Sequence, residues 1–432
     1  EKLKAGDFDD EFFNAVKLTM IRQHEENMES MEGRLFTLID AHVKGRSWDD
    51  IISLPEKINT ITKEEVVAIA NTYFGDDYLV MHSKMGFPKK HKLDKPPFEP
   101  IIPKNTEKKS AFAAKLDEVP EGEMKLKYIE FDKDVQKKDI KEKVHLYHTH
   151  NPINGIFTLN FQYGIGTRAE PKLQQTAELL NLLGTKEKDF HSFKSELQKI
   201  GTTIDFRADK NYFKIQVKGF DTHFERSLEY VSEIMTKVKG DDSKIKNLVN
   251  NAKAGRKMEK KEPSNVGRAL RDYALYGENS PYLTRMTVKE IKKSKSTDFL
   301  NSYYEALKYE VDILYTGKMD IEDVSAKIFE FIAFGNDRKD ALSPYDEEIQ
   351  TFDEDIVYLV NDKKAVQSQI YFAVNGDSVE DSDRSVSKAY NKYFGRGMGS
   401  IVFQEIREFR SLAYSCRANY NTPFHNGNSG FF

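Results

Sequence analysis

A fixed cation and a phenol seven positions apart, Arg407 and Tyr414, lie in the stretch GRGMGSIVFQEIREFRSLAYSCRANY from Gly395 to Tyr420. Read locally, this is a glycine-loosened turn and then a helix that carries Ile401, Phe403 and Ile406 to one side. A break at Ser411 follows, and a strand alternates from Ala413 through Cys416 to Tyr420. Arg407 closes the helix and Tyr414 opens the strand, so the two can converge on one point. Such a pair suits a peptide carbonyl, or the oxyanion that develops when a carbonyl is attacked. The plainer alternative pairs Arg407 with Glu405 or Glu408 at the surface and makes Tyr414 half-buried packing, because most charged helix ends are solvated. Gly395, Gly397 and Gly399 do not make a nucleotide loop: the spacing is not G-x-G-x-x-G, no Lys-Ser/Thr follows, and the preceding segment reads as helix.

The other side chains with chemistry in them are scattered. His24 begins H-E-E-N rather than H-E-x-x-H and lies on a charged helix face. His148 and His150 form an H-x-H at a strand end, able to share a metal but with no third ligand near in sequence. His191, His223 and His425 are isolated, and no Ser-His-Asp or paired-carboxylate arrangement can be picked out. The single cysteine, Cys416, rules out an internal disulfide and reads as a small strand hydrophobe. No catalytic residue and no metal ligand is assigned.

These residues need elements to hold them. The 432 residues are 39% hydrophobic and 31% charged, enough for two to four globular domains of roughly 100 to 200 residues each. A net charge of −4, from 66 basic and 70 acidic residues mixed along the chain, leaves no nucleic-acid footprint. No apolar run reaches the roughly 18 residues of a membrane span, and EKLKAGDFDDEF has no signal-peptide core but reads as the middle of a domain.

In order, Asp9 to Lys44 reads as one long helix, or two with a break near Gly33, and Thr62 to Phe74 as a helix with a T-x-x-E capping box. Tyr78 to Met81 is a short strand. Phe87 to Glu123 is Pro- and Lys-rich, an extended linker. Strands follow at Tyr128 to Phe131, Val144 to His148 and Ile156 to Tyr163, then helices at Thr176 to Leu183 and Phe190 to Ile200. The hairpin TTIDFRAD/NYFKIQVKGF comes next, then helices at Thr222 to Lys239, Asp242 to Lys261, Val266 to Tyr276 and Val288 to Leu307, and the strand VDILYTG. Sheet first and helical layer afterwards makes an α+β sandwich. The helical half repeats the first segment: NAVKLTMIRQ and EGRLFTLIDAHVKG line up with NLVNNAKAGR and VGRALRDYALYG. After a polar linker from Gly335 to Asp346, a third copy starts with TFDEDIVYLVND and QSQIYFAVNG and runs into the Arg407 corner.

FQEIREFRSLAYS resembles the second-lobe signature of the pitrilysin and insulin-degrading-enzyme family, zinc peptidases with an inverted H-x-x-E-H motif. In that family an Arg and a Tyr seven positions apart help to bind substrate in a closed chamber, and Arg407 and Tyr414 fall on those positions. Ser411 departs from the family, which usually has Gly there. TAELLNLLGT, from Thr176 to Thr185, resembles the helix that bears H-x-x-E-H in the first domain, with Ala177, Leu180 and Asn181 at the motif positions. Ala and Leu can neither bind zinc nor act as a base, so this is the degenerate copy. Without the resemblance, Leu179, Leu180, Leu182 and Leu183 are an ordinary buried helix face.

The resemblance implies four homologous α+β domains in two lobes joined by a linker. It lays residues 1–86 on the end of the second domain and 87–123 on the interlobe linker. Residues 124–334 fall on a complete third domain, 335–346 on a short linker and 347–432 on the first part of the fourth. It implies a zinc metalloendopeptidase whose zinc ligands lie outside this chain, with peptide substrates and the N-terminal lobe of the same protein as partners, and it leaves room for a homo-oligomer. The alternative is a non-catalytic member serving as scaffold or peptide-binding subunit; an upstream H-x-x-E-H would decide between them. Compartment is not read from the sequence.

Overall fold

A computed structural model of the chain describes residues 1–86, 108–120, 122, 125, 128–342, 344–345, 348–361, 365–377, 379–423 and 429–431. Most of the expected linker 87–123 and His425 lie outside the described residues. By contacts the chain divides into two units, Glu1–Asp7 with Thr62–Phe131, and Phe8–Ile61 with Asp132–Phe432.

In the first unit the helix Lys63–Tyr73 starts on the expected capping box, with Thr62 and Glu65 each satisfying the other's backbone N–H. Asn71 Nδ2 donates to the Lys4 carbonyl at 3.1 Å, tying on the short helix Lys2–Ala5. Tyr78–Met81, expected as a strand, pairs with nothing among the described residues, and Leu79 is 88% exposed. Alternation marks a segment that could join a sheet; a neighbour must supply the hydrogen bonds.

The second unit is organised by a six-stranded sheet. Its strands are β1 (Gln136–Lys141), β2 (Val144–His150), β3 (Ile156–Tyr163), β4 (Thr203–Ala208), β5 (Phe213–Phe220) and β6 (Val311–Gly317), in the order β1-β2-β6-β3-β5-β4. Only β2 and β6 run parallel. Each central strand alternates buried and half-buried residues, so one face is apolar: Leu146, Phe157, Leu159, Phe161, Ile215 and Ile313 are sealed from solvent there. Helices Leu173–Leu180, Phe224–Lys237 and Ser296–Ala306 supply Leu173, Leu228, Val231, Phe299 and Tyr303 to the same core. At about 1.5–3 kcal/mol per buried large side chain, this core dominates the unit's stability. The α+β class expected from the sequence holds, with an antiparallel-rich sheet.

Several boundaries moved. The long first helix is two, Asp10–Glu29 and Met31–Val43, broken at Ser30, whose side chain accepts from Gly33 N–H. The helix expected over 288–307 is also two, Val288–Lys293 and Ser296–Ala306, because Ser294 and Lys295 turn extended between them. β1 and the helix Ile321–Phe331 were not read from the sequence; β1 is a lysine-rich edge strand that shows little alternation. Tyr128–Phe131 forms no strand. Beyond residue 347, among the described residues, only β7 (Val374–Asn375), β8 (Tyr420–Asn421) and β9 (Gly430–Phe431) pair, in the order β7-β9-β8. Val357 and Leu359 in TFDEDIVYLVND, and Val366 after it, are more than four-fifths exposed, at 89%, 86% and 98%.

Candidate functional site

The Arg407 corner is built from backbone rules. Helix Arg384–Phe394 ends at Gly395, where an added Cβ would lie 2.0 Å from the Ala418 carbonyl oxygen, so only glycine lets the two segments close up. Gly397 has φ +88°, a left-handed conformation; Gly399 has neither constraint. Ser400 is buried and its hydroxyl accepts from Phe403 N–H at 3.4 Å, starting the helix that becomes a π-turn over Phe403–Glu408.

The helix ends in a Schellman-like reversal widened by one residue, as its π-turn requires. Leu412 N–H donates to the Ile406 carbonyl at 2.9 Å and Ser411 N–H to the Arg407 carbonyl at 3.1 Å. Ser411 takes the left-handed position, φ +49°. The expected break is therefore where the sequence put it, held by a residue that prefers not to be there. Beyond it, the expected strand from Ala413 does not pair until β8.

That reversal brings Arg407 and Tyr414 together. The guanidinium carbon is 4.5 Å from the Tyr414 ring centroid and 4.7 Å from that of Phe403, one helical turn back. Two aromatic faces thus clamp one cation. The charge is also met by Glu408, 3.5 Å away, whereas Glu405 is taken by Arg410. Tyr414 is 82% exposed, so its hydroxyl faces solvent. The corner presents a cation held in place and a free phenol beside it, capable of binding a carbonyl or carboxylate. Phe403 was read only as a helix-face residue; its i, i+4 spacing to Arg407 was the available signal.

The positions expected to be a degenerate metal motif lie elsewhere in the unit. Ala177 and Leu180 are buried in the core, 3% and 2% exposed. Asn181 is spent on the backbone: its Nδ2 donates to the Phe206 carbonyl at 2.8 Å and its Oδ1 accepts from Phe206 N–H at 2.9 Å. Neither the apolar pair nor the engaged amide fits zinc. The H-x-H pair divides. His148 is buried, stacked on Tyr315, and its Nε2 lies 2.7 Å from the Met319 carbonyl, while His150 is exposed. Among the described residues no group of three or more His, Cys, Asp or Glu could hold a metal, and no helix is long and apolar enough to cross a membrane. Cys416 is half-buried, its thiol 3.6 Å from the Val402 carbonyl.

Residues 291–432, which include this corner, match the family described as Peptidase M16 inactive domain. The resemblance to the pitrilysin and insulinase peptidases is thereby borne out. Solved structures share the fold over more of the chain. The peptidase M16 inactive domain from Pseudomonas fluorescens is 18% identical, with a TM-score of 0.52, over 69% of this chain and 73% of that one. The periplasmic protease PqqL from Escherichia coli is 12% identical, with a TM-score of 0.55, over 98% of this chain and 49% of its own. A variant of the ferredoxin protease FusC, solved in complex with Arabidopsis ferredoxin, is 11% identical, with a TM-score of 0.54, over 99% and 50%. The chain thus spans about half the length of these two proteases. No curated protein matches.

Proposed function

We propose that this chain is the C-terminal, non-zinc-binding part of a zinc-dependent metalloendopeptidase that degrades peptides in a closed chamber. In this reading residues 1–86 end a second domain, 124–334 form the third and 347–432 begin the fourth, with 87–123 and 335–346 as connections. The N-terminal lobe of the same protein holds the zinc, which when bound polarises the scissile carbonyl and activates water. No step of that chemistry is routed through Ala177, Leu180 or Asn181. What the chain's own residues do is bind: Arg407, held between Phe403 and Tyr414, offers a fixed cation, and the Tyr414 hydroxyl offers a hydrogen bond to a substrate carbonyl.

The observation that carries the proposal is the clamped Arg407 beside a free Tyr414 hydroxyl, within the segment that matches the family. The test is hydrolysis of a quenched fluorescent peptide library by the chain alone and mixed with the upstream lobe, zinc present in both. Activity is expected only in the mixture. Arg407→Ala should lower it about 10- to 100-fold, the worth of one charge-assisted hydrogen bond at a reacting carbonyl. Tyr414→Phe keeps the ring stack and loses the hydroxyl, so a drop there isolates the hydrogen bond. Activity of the chain alone, or a mixture indifferent to both substitutions, refutes the proposal. An upstream lobe with no H-x-x-E-H moves the chain to the scaffold or peptide-binding class.

A further inference from the structure

One face of the six-stranded sheet is packed; the other carries a polar row set by strand register. Asp139 of β1 pairs with His145 of β2, His145 with Asp312 of β6, and Asp312 with Gln162 of β3. Gln162 in turn pairs with Lys214 of β5 and Lys214 with Arg207 of β4. Directly paired residues share a face, so six polar side chains cross the sheet in one line. The line grades from carboxylates at the β1 edge to cations at the β4 edge.

At the acidic end is a cavity of about 330 Å³, lined by Lys137, His145, Gln162, Tyr212, Glu310 and Asp312 among others. Three of its charged or titratable groups, His145, Glu310 and Lys137, have partners. His145 Nδ1 is 2.5 Å from Asp139 Oδ1, and its Nε2 is 3.1 Å from Glu310 Oε1. Glu310 Oε2 also accepts from Ala341 N–H at 3.2 Å. Lys137 rests over the Tyr147 ring, 5.5 Å from its centroid. Asp312 differs: it is half-buried at the middle of the sheet, and among the described residues its carboxylate accepts no hydrogen bond and makes no ion pair. The Tyr212 hydroxyl across the cavity is likewise without a hydrogen bond. Burial, which is costly for an unpaired carboxylate, pushes Asp312 above the usual range. An acceptor kept desolvated and open, at the floor of a cavity wide enough for a long side chain, is what a partner's cation would complete.

We propose that this cavity is a subsite for a basic side chain, lysine or arginine, of a peptide lying across the polar sheet face, with Asp312 as its counter-charge and Gln162 and Tyr212 as flanking hydrogen-bond groups. This rests on the peptide-binding reading above and adds a substrate class to it. The charges facing Asp312 are Lys137, His145, Asp139 and Glu310, so that three carboxylates, Asp312 included, outnumber the two basic groups and leave the cavity negative.

The test uses the full chain and two blocked peptides of otherwise neutral residues, one with a central arginine and its twin with citrulline, which keeps the shape and loses the charge. Binding is read by fluorescence anisotropy, and cleavage in the mixture with the upstream lobe. The arginine peptide is expected to bind about tenfold tighter than its twin. Asp312→Asn should abolish that preference while melting no lower than the parent, and Tyr212→Phe should reduce it. The preference should also fade as pH falls and Asp312 protonates. Equal binding of the two peptides, or a preference that survives Asp312→Asn, overturns the subsite. If both peptides are nevertheless cleaved in the mixture, and Arg407→Ala slows cleavage, the peptidase reading stands without it. If neither is bound or cleaved, both readings fall.

Discussion

Asn181, expected at a position of a degenerate metal motif, instead closes a strand edge, and that role can be tested sharply. β4 is an edge strand, paired only with β5, so the outer backbone groups of Phe206 have no neighbouring strand. The Asn181 amide takes the place of that strand, donating to the Phe206 carbonyl at 2.8 Å and accepting from its N–H at 2.9 Å. Asn181→Leu removes both partners at once. Each orphaned backbone group costs about 1–3 kcal/mol when water cannot reach it, and less where it can. Asn181 is half-buried, so the lower end applies to both groups and the expected loss is about 2 kcal/mol. Denaturant unfolding followed by circular dichroism should show that loss. Hydrogen exchange should show it locally, as roughly a thirtyfold fall in protection at the Phe206 amide. Asn181→His, the residue type of the metal motif, can satisfy only one of the two groups and should lose about half as much. It should take up no zinc on dialysis, since Ala177 and Leu180 supply no ligand. A leucine variant as stable as the parent, with Phe206 exchange unchanged, would refute the edge-strand argument.

Ser411→Gly should stabilise the Arg407 corner by about 0.5–1 kcal/mol, since glycine carries no penalty at φ +49°; slower exchange of the Leu412 amide is the readout. Gly164→Val should loosen the segment after Arg338, because a Cβ at 164 would stand 2.4 Å from Ala341 Cβ. Faster proteolysis between residues 335 and 345, and a loss of about 1–3 kcal/mol, are expected. Arg285 grips Glu259 through two bonds of 2.9 and 2.8 Å and holds its carboxyl below the ordinary range. A lowered carboxyl stabilises the fold above its unfolded value and stops doing so as pH falls through the folded one. Glu259→Gln should therefore cost about 0.5 kcal/mol at neutral pH for this part-exposed pair, and the difference should close on acidification.

How far the sequence could be read depended on whether a feature is local. β2, β3, β5 and β6 were legible because each alternates against a helical layer, and the alternation is itself the cause of the burial. β1 escaped because Lys137, Lys138 and Lys141 protect an edge instead of filling a core. The segments Tyr78–Met81 and Tyr128–Phe131 show the converse: apolar residues in strand-like runs, with no partner strand among the described residues. Helix breaks at Ser30 and Ser294 were missed or misplaced by a few residues, because periodicity continues across a turn that only a capping side chain marks.

The Arg407 corner was readable for the same reason that β2 was. Seven residues that include a helix end and one left-handed residue bring their ends together through two local hydrogen bonds, and no distant strand is needed. The Asp312 row is the opposite case. Its line exists only because residues near 145, near 312 and near 162 become neighbours through a parallel and an antiparallel pairing. No spacing in the chain encodes that meeting. A single register slip would turn Asp312 into the core and Val311 or Ile313 out of it, so the apolar residues that fill the packed face also fix the polar row on the other. Asp312 therefore needs no local signal to stand where it does, and sequence reading alone had none to find.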